Sequence, residues 1–496
     1  MCNLVVGAIL AVVGVVLVGV SSFVGYGVVP GIVKRMIIDE VALLNETEQF
    51  ERFERVPFLL TFKVFMFNIT NPAEVLAGGI PELREQGPYV YKLNNSRLIG
   101  NMEEDILTYR RWESFEFDAE ASYPHTEDDM TTIVNVAYHG LLQRAEKLFP
   151  FLLFAINQAM TSIFGANDSP IMTVRVRDLL FDGILLCQNP GIVGNVACSQ
   201  IKTIGQDVQN LEELEDGTIQ FTLLSYKQEI PSKEFTVYRG INEPNDLGRM
   251  ISYDNSAALP YWQNDDGATS VCNTVRGTDS GIFNPFIDRD EPLYAFNTDI
   301  CRTVELRYQH ETEYKDIPTA RFAVNEWMFD NNEGCYCLNT TDGITTPDGC
   351  LLKGAMELYS CVGAYLVLSY PHFLYADFTY QNGVIGMNPS EEDHRIILDL
   401  EPNTGTVIRG FKRAQFNIFQ RPITSISGSQ TLKTTLMPIF WVEESMELPD
   451  EFADMVKDRL LYPLNLVNIL VPILIAVSAL VAAIGLIIVI KVKCCN

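Results

Sequence analysis

The sequence reads LVVGAILAVVGVVLVGVSSFVGYGVV from Leu4 to Val29 and LNLVNILVPILIAVSALVAAIGLIIVI from Leu464 to Ile490, and neither run contains a charged residue. A helix rises about 1.5 Å per residue and the hydrocarbon core of a bilayer is about 30 Å thick, so roughly 20 apolar residues can cross it. The first run also exceeds the apolar core of a cleaved signal peptide, which is roughly 7 to 15 residues long. The sequence therefore predicts two transmembrane helices, one towards each end.

Two such helices place the middle of the chain on one side of a membrane and both tails on the other. We expect residues 1–3 and 491–496 to be cytoplasmic, residues 4–29 and 464–490 to span the plasma membrane, and residues 30–463 to form the extracellular part. The middle segment contains no repeat and no linker rich in Pro, Gly or Ser, which favours a single large domain.

Basic residues alone leave the orientation of this hairpin open. Lys491 and Lys493 favour a cytoplasmic tail, whereas Lys34 and Arg35 flank the first run on the opposite side. Glycosylation sequons favour the extracellular orientation, because glycans are added on the lumenal side. All five sequons lie between the runs, at Asn45, Asn68, Asn94, Asn167 and Asn339.

The cysteines are also divided by the two runs. An even set lies between them, which an oxidising compartment would pair: Cys187, Cys198, Cys272, Cys301, Cys335, Cys337, Cys350 and Cys361. The competing interpretation is a zinc site made by the last four, although their spacing does not match the common zinc knuckles. The remaining thiols, Cys2, Cys494 and Cys495, lie at the predicted cytoplasmic edge, where we expect acylation.

The predicted extracellular domain is strongly acidic, with 63 acidic and 34 basic residues and a net charge of −29. Such a surface repels nucleic acid, which is excluded as a partner. Short acidic runs at residues 103–105, 127–129 and 212–216 lack the spaced loop of a calcium site, so we expect them to be solvated loops. No metal or other cofactor is expected.

Several segments predict a β-rich core. Apolar and polar residues alternate over residues 114–118, 398–401 and 415–418, as in strands with one face buried. Residues 59–69 and 235–238 are rich in β-branched and aromatic side chains and are bounded by turn residues, which is typical of strands.

One stretch has the helical period instead, with apolar residues at the three and four spacing: Phe149, Leu152, Leu153, Ile156, Met160, Ile163 and Phe164. Pro150 fits the start of this helix and Gly165 its end. The helix belongs either to the core or to an exposed apolar surface. In the second case a ligand would enter past Phe149, Leu153, Ile156, Met160 and Phe164.

Eight motifs occur in a characteristic order along the chain. They are NITNP at 68–72, GPYVY at 87–91, CNTVRGTD at 272–279, FNPF at 283–286, DICR at 299–302, CYC at 335–337, PHF at 371–373 and LEPNTG at 400–405. In this order they resemble the class B scavenger receptor family. GGIP at 78–81, FWVEE at 440–444 and the extra cysteines Cys187 and Cys198 are similar to the insect sensory neuron membrane proteins within that family.

The resemblance implies a fold and a disulfide pattern. The implied fold is a membrane protein with two transmembrane helices that flank a large β-rich α+β domain. This domain has an antiparallel β-barrel core, a helical apex and an internal lipid cavity. The implied disulfides are Cys272–Cys335, Cys301–Cys361, Cys337–Cys350 and Cys187–Cys198.

The resemblance also implies a function: a non-enzymatic cell-surface receptor or co-receptor that captures hydrophobic, lipid-derived odorants such as pheromones. It would pass them through the cavity to the membrane or to an odorant receptor. The implied partners are a long-chain hydrophobic ligand, membrane lipid, an odorant receptor complex and an odorant-binding protein. Vertebrate members carry lysines near the distal helices that attract anionic lipid particles, whereas residues 165–169 here read GANDS, which argues against lipoprotein scavenging. The acidic surface favours a neutral ligand, such as a long-chain acetate, alcohol or aldehyde, over a fatty acid anion.

Two other functions stay open at this point. One is a general scavenger, phagocytic or lipid-uptake receptor. The other, more distant, is an ectonucleotidase-like enzyme, which also has terminal spans and a cysteine-rich domain. Against it, Thr278–Gly281 is a single turn without a second phosphate loop, and the five histidines show no metal-binding spacing.

Overall fold

The computed structural model describes residues 2–206, 208–264, 267–331 and 334–494. The strands are β1 Leu60–Ile69, β2 Leu83–Glu103, β3 Ile106–Phe117, β4 Met130–Val134, β5 Ile171–Arg175, β6 Ile184–Leu186, β7 Leu211–Glu213, β8 Ile219–Phe221, β9 Glu234–Tyr238, β10 Met250–Tyr253, β11 Leu293–Asn297, β12 Arg302–Tyr314, β13 Ile317–Val324, β14 Met356–Glu357, β15 Leu366–Ser369, β16 Ile397–Leu400, β17 Val407–Gln420 and β18 Thr435–Glu447. The α-helices are α1 Cys2–Phe23, α2 Val29–Val41, α3 Glu48–Glu54, α4 Pro72–Leu76, α5 Ala119–Ser122, α6 Val136–Leu148, α7 Leu153–Phe164, α8 Gly191–Gly205, α9 Tyr359–Val362, α10 Phe378–Gln381, α11 Glu391–His394, α12 Asp450–Val456 and α13 Tyr462–Cys494.

One antiparallel sheet forms the centre of the molecule. Its strand order is β10-β9-β3-β2-β1-β18-β17-β16-β13-β12-β11, and β15 adds to β17 and pairs with β14. The predicted segments 59–69 and 235–238 lie in β1 and β9. Strands from the beginning and the end of the chain meet where β1 pairs with β18, so the sheet brings both terminal helices to one end.

A short segment around Gly277 joins the two edge strands of this sheet. Met250 N of β10 donates to Gly277 O at 2.8 Å, and Thr278 N donates to Tyr294 O of β11 at 3.0 Å. Phe296 N in turn donates to Thr278 O at 2.7 Å. Gly277 has a φ of +82°, and a Cβ there would lie 2.0 Å from Tyr294 O, so a side chain does not fit. The segment therefore bridges the two edge strands, β10 and β11, across the gap in the sheet.

Two of the predicted half-buried strands are buried on both faces, which corrects the sequence interpretation. In β17 the polar residues Gln415 and Asn417 are inaccessible to solvent. Their outer face is covered by the β15 segment, where Asn417 Nδ2 donates to Ser369 Oγ at 3.0 Å and His372 N donates to Gln415 Oε1 at 2.6 Å. Because both polar side chains are hydrogen-bonded, they can be buried. The alternation of polar and apolar residues therefore does not indicate a solvent-exposed face in this strand.

The same correction applies to residues 398–401 in β16 and the turn after it. Asp399 is fully buried and accepts from Arg321 Nε at 2.7 Å and Arg409 Nε at 3.1 Å. Glu401 is also buried and accepts from Thr404 N at 2.8 Å. Residues 114–118 in β3 do keep one solvent-facing side, where Glu116 is exposed.

The terminal helices are longer than the apolar runs. α1 and α2 form one helix from Leu4 to Val41 through a π-helical turn, and α12 and α13 form another from Asp450 to Cys494. Within the described residues these are the two helices long and apolar enough to span a membrane. An apolar pair bent by 117°, Val136–Leu148 and Pro150–Asn167, belongs to the helical cap described below.

The two terminal helices touch through glycines. A Cβ at Gly14 would lie 2.3 Å from Ala482 N, and one at Gly485 would lie 2.2 Å from Ala11 N. The backbones are therefore in direct contact, as in transmembrane helix pairs with small residues at the interface. This contact fixes the two helices to each other within the apolar runs, far from the barrel.

Helices α6, α7 and α8 form a cap at the opposite end of the barrel. Gln143 Nε2 of α6 donates to Phe419 O at 3.0 Å, near the end of β17 that is remote from the terminal helices. The predicted helix is α7, preceded by a 3₁₀ turn at Pro150–Leu152, and Gly165 ends it with a φ of +58°. The cap is the helical apex implied by the family resemblance.

Four disulfides connect the eight cysteines between the terminal helices: Cys187–Cys198, Cys272–Cys335, Cys301–Cys361 and Cys337–Cys350. These are the pairs implied by the resemblance. The four sulfurs of the zinc alternative are all used in disulfides. Cys187–Cys198 lies in the cap, where it attaches α8.

Candidate functional site

A cavity of about 290 Å³, here called the lower chamber, lies at the end of the barrel where the terminal helices enter. Part of its wall comes from these helices and their neighbours, including Val41 of α2, Phe53 of α3 and Phe452 of α12. The rest comes from the barrel interior, including Asn95 and Arg111. The lower chamber therefore links the inside of the barrel to the bases of both predicted transmembrane helices.

A second cavity of about 120 Å³, the upper chamber, lies deeper inside the barrel. Aromatic and aliphatic side chains such as Phe62, Phe296, Phe329 and Val442 line it. The two chambers share four wall residues: Ser280, Leu398, Lys412 and Glu444. The chambers are therefore adjacent, and together they define a path along the barrel axis.

Eight charged side chains lie in the walls of the two chambers or are paired with a wall residue, and they are here called the charged belt: Arg97, Arg111, Glu113, Lys227, Asp279, Asp299, Lys412 and Glu444. Strand register explains how they come together. Arg97 of β2 is opposite Arg111 of β3, and Lys412 of β17 is opposite Glu444 of β18. Because side chains two residues apart share a face, Glu113 lies on the same side as Arg111.

The members of the charged belt are paired with one another. Lys412 Nζ lies 2.7 Å from Glu444 Oε1, and Lys227 Nζ lies 2.9 Å from Asp299 Oδ2. Arg111 Nη2 lies 3.2 Å from Glu113 Oε1. Four cations thus face four carboxylates, and the belt as a whole is neutral.

The most deeply buried pair is Arg97–Asp279. Asp279 Oδ2 accepts from Arg97 Nη2 at 2.7 Å and from the Tyr109 hydroxyl at 2.8 Å, and Asp279 Oδ1 accepts from Gly281 N at 2.9 Å. This arrangement makes Thr278–Gly281 a structural turn, because its carboxylate is committed to Arg97. These contacts are sufficient to explain the conformation of the turn, and no bound phosphate is needed to explain it.

The pKa shifts of Glu444, Asp279 and Lys227 favour the charged form of each group at neutral pH. Burial raises the pKa of Glu444, but Lys412, Arg111 and Lys227 outweigh this effect and lower it to about 2. Burial likewise raises the pKa of Asp279, yet Arg97 and Arg111 bring it well below its usual range. For Lys227, Asp299 and Glu113 overcome burial and raise the pKa.

Two polar atoms in the wall of the lower chamber lack a partner. Among the described residues, Arg111 Nε and Asn95 Oδ1 are buried without a hydrogen bond. Asn95 is 7% exposed and lies opposite Glu113 in the β2–β3 register, so its side chain is next to Arg111 on the inner face. One unsatisfied donor and one unsatisfied acceptor thus share a small area of the chamber wall.

The five residues predicted to admit a ligand lie in the cap. Leu153, Met160 and Phe164 are buried and Phe149 and Ile156 are half-buried, so their face packs inwards as in a core helix. Ligand passage at these positions stays a prediction. The large apolar side chains that the cap exposes are different ones: Leu148, Phe151, Leu152, Phe154, Ile192 and Val196, with Phe151 97% and Phe154 73% exposed.

The predicted modification sites differ in exposure. Asn45 and Asn339 are exposed, whereas Asn68, Asn94 and Asn167 are half-buried. Glycosylation of all five stays a prediction.

The acylation candidates lie at the ends of the terminal helices. Cys494 is an exposed free thiol at the end of α13. The side chain of Cys2 and the whole of Cys495 lie outside the described residues. Acylation stays a prediction for all three.

The charged belt was not predicted from the sequence, although the spacing of charged and apolar residues indicates it. Arg111 and Glu113 precede the apolar Phe115 at intervals of two, and Lys412 precedes Ala414 and Phe416 in the same way. In a strand this spacing places charged and apolar residues on one face. Charged residues at two-residue intervals from core residues were therefore the sign in the sequence that charged side chains face the barrel interior.

Comparison with known proteins is consistent over the whole chain. The sequence model of the CD36 family matches residues 6–489. Sensory neuron membrane protein 2 of Drosophila melanogaster is 31% identical over 93% of this chain and 93% of its own length. Sensory neuron membrane protein 2 of Aedes aegypti is 33% identical over 90% and 92%, and sensory neuron membrane protein 1 of Pediculus humanus subsp. corporis is 34% identical over 90% and 84%.

Proposed function

The chain belongs to the CD36 family, and we propose that it is a receptor or co-receptor that captures long-chain, lipid-derived odorants and delivers them to the membrane. In this proposal residues 30–463 are extracellular, both tails are cytoplasmic and no chemical step is catalysed. A neighbouring odorant receptor receives the ligand, and an odorant-binding protein supplies it. The relatives named as sensory neuron membrane proteins support placing this chain in sensory neurons.

The observation that carries the proposal is the pair of adjacent chambers between the barrel interior and the terminal helices. Each buried methylene group favours transfer out of water by about 0.8 kcal/mol, so a long-chain ligand gains by staying inside the barrel. The lower chamber is walled by Val41 and Phe452, close to the two helices that would enter the bilayer. A ligand that leaves there reaches lipid without crossing water.

The exposed apolar surface of the cap favours a second candidate, the scavenger or phagocytic receptor. Phe151 and Phe154 are among the most exposed large apolar residues of the chain. Exposed apolar patches commonly bind another protein or a lipid surface. A receptor that holds lipoproteins or cell debris would use this surface and not the chambers.

Binding by the full-length protein in lipid nanodiscs tests the first candidate. Octadecanol and octadecyl acetate should displace a fluorescent long-chain alcohol in a saturable manner. Replacing Ala414 in the wall of the upper chamber with Phe should weaken this binding at least about tenfold, because the new ring fills the space of several methylene groups. The matched control, Ala121→Phe, changes an exposed alanine of α5 and should leave binding unchanged.

Two results would count against the proposal. One is the absence of saturable binding by the wild-type protein. The other is equal binding by the Ala414→Phe and wild-type proteins. Saturable capture of lipoprotein particles that depends on Phe151, without binding of the free alcohol, would instead favour the scavenger receptor.

A further inference from the structure

The charged belt is an unexpected feature in a path for apolar ligands. Removing charges from water is expensive, and a buried ion pair is often no more stable than a well-packed apolar pair. Stability alone therefore gives little reason for ion pairs at the wall shared by the two chambers. A polar group on the ligand would give these side chains a function.

The free hydrogen-bonding groups of the wall indicate what kind of polar group this is. An unpartnered buried donor or acceptor costs about 1 to 3 kcal/mol, so a ligand that satisfies Arg111 Nε or Asn95 Oδ1 gains affinity. Arg111 Nε requires an oxygen acceptor, whereas Asn95 Oδ1 requires a donor. A hydroxyl group supplies both, and an ester or aldehyde carbonyl supplies the acceptor alone.

The charge of the belt distinguishes uncharged oxygen groups from carboxylates. Its four cations are already matched by four carboxylates, and Arg413 in the upper wall is paired with Glu443 at 2.7 Å. A ligand carboxylate would bring an additional negative charge into a neutral, largely desolvated region. That charge would be paired only by breaking an existing ion pair, such as Lys412–Glu444.

We propose that the charged belt is the subsite for the polar end of the ligand, and that it selects long-chain molecules with an uncharged oxygen group. Arg111 donates to the oxygen, and Asn95 accepts from the hydroxyl when the ligand is an alcohol. The hydrocarbon chain lies in the upper chamber. This inference rests on the proposed function and adds to it the chemical class of the ligand and the residues that read it.

The Lys412–Glu444 pair lies where a change of charge should alter ligand preference. Both residues line both chambers, so a change of charge there acts on a ligand in either one. Removal of the negative charge leaves the belt with an excess cation, and removal of the positive charge leaves an excess anion. Preference for a carboxylate should therefore shift in opposite directions in the two variants.

The test compares octadecanol, octadecyl acetate and octadecanoate as competitors for the fluorescent alcohol on full-length protein in nanodiscs of zwitterionic lipid. The wild-type protein should bind the alcohol and the acetate more tightly than the carboxylate. Glu444→Gln should raise the affinity for octadecanoate relative to octadecanol by at least about tenfold, and Lys412→Met should lower this ratio. Lys233→Met should not change the ratio, because Lys233 pairs with the exposed Asp254 and neither residue lines a chamber.

A second variant tests the hydroxyl directly. Asn95→Leu removes the acceptor and keeps the Asn94-x-Ser96 sequon, so it should weaken octadecanol binding by roughly tenfold and leave octadecyl acetate nearly unchanged. Ratios between ligands measured on one protein preparation are independent of the fraction that folds.

The outcomes separate the inference from the proposed function. If the wild-type protein binds none of the three competitors, the proposed function fails. If it binds them but prefers octadecanoate, or if neither charge variant changes the carboxylate-to-alcohol ratio, the function stands and the assignment of the belt is wrong. Equal loss of alcohol and acetate binding in Asn95→Leu would also contradict the assigned hydroxyl contact.

Discussion

The barrel and the helical cap distribute polarity in opposite ways. Inside the barrel, the side chains of Arg97 and Asp279 are only 6% and 1% exposed, yet they carry opposite charges. On the cap, Phe151 is apolar and 97% exposed. The barrel tolerates its charges because each has a partner within the fold. The cap exposes apolar rings to solvent, so the two regions should respond differently to substitution.

Asp279→Ala should have the largest effect on folding, because it leaves the buried Arg97 guanidinium without its carboxylate partner. Breaking one side of a buried ion pair typically costs about 3 to 5 kcal/mol. The measurement is the thermal unfolding midpoint of the protein in nanodiscs, together with the amount that reaches the cell surface. Asp290→Ala, at an exposed carboxylate, is the control and should change neither quantity. Normal stability of Asp279→Ala would show that the buried charges do not depend on pairing.

Acidification should have the next largest effect per residue, through two buried histidines. Burial lowers the pKa of His139 to about 4, and burial together with the neighbouring His372 lowers that of His394 to about 4. Both folded-state pKa values lie below the unfolded value of 6.5, so the unfolded chain binds more protons between these limits. Stability is therefore complete above about pH 6.5 and falls as the pH drops towards 4, by up to about 3 kcal/mol per histidine.

The measurement is the unfolding midpoint as a function of pH. Glu444, whose pKa falls from 4.5 to about 2 on folding, adds to this loss only below about pH 5.5, so the loss above that pH comes from the histidines. His139→Leu should flatten the pH dependence between 7 and 4, whereas His310→Gln, at an exposed position, should leave it unchanged. An equally steep curve in His139→Leu would rule out His139 as a source.

The smallest effect on stability should come from the exposed surface of the cap. Phe151→Ala should change the unfolding free energy by no more than about 0.5 kcal/mol, since the ring makes little contact with the protein. Its matched control is Phe164→Ala in the same region, where a ring that is 2% exposed is lost, with an expected cost of about 3 to 5 kcal/mol. Similar costs for the two substitutions would show that Phe151 packs against the protein and would contradict an apolar cap surface that faces solvent.

The sequence predicted the parts of the fold that depend on local patterns. The terminal helices follow from two apolar runs, and β1 and β9 from β-branched and aromatic segments. The burial of Gln415 and Asn417 could not be predicted, because the segment that covers them starts near Ser369, far away in the chain. A strand pattern describes two faces, but it does not say what lies against the outer one.

The candidate site was harder to predict from the sequence for the same reason. Arg97 and Asp279 are separated by 182 residues, and only the folded sheet brings them together. The helix at residues 153–164 was predicted correctly as an element, but periodicity alone did not say that Phe164 faces inwards while Phe151 faces solvent. The family resemblance implied an internal cavity, whereas the charged wall of the cavity came from the three-dimensional arrangement.

Photo-crosslinking tests the central claim, that a long-chain ligand lies inside the barrel with its polar end at the charged belt. The probe is a long-chain alcohol with a diazirine beside the hydroxyl, applied to the full-length protein in nanodiscs and mapped by mass spectrometry. Labelling should concentrate on peptides that contain Asn95, Arg111 and Lys412, and unlabelled octadecanol should abolish it. Labelling confined to the cap around Phe151, or to the terminal helices, would contradict the account.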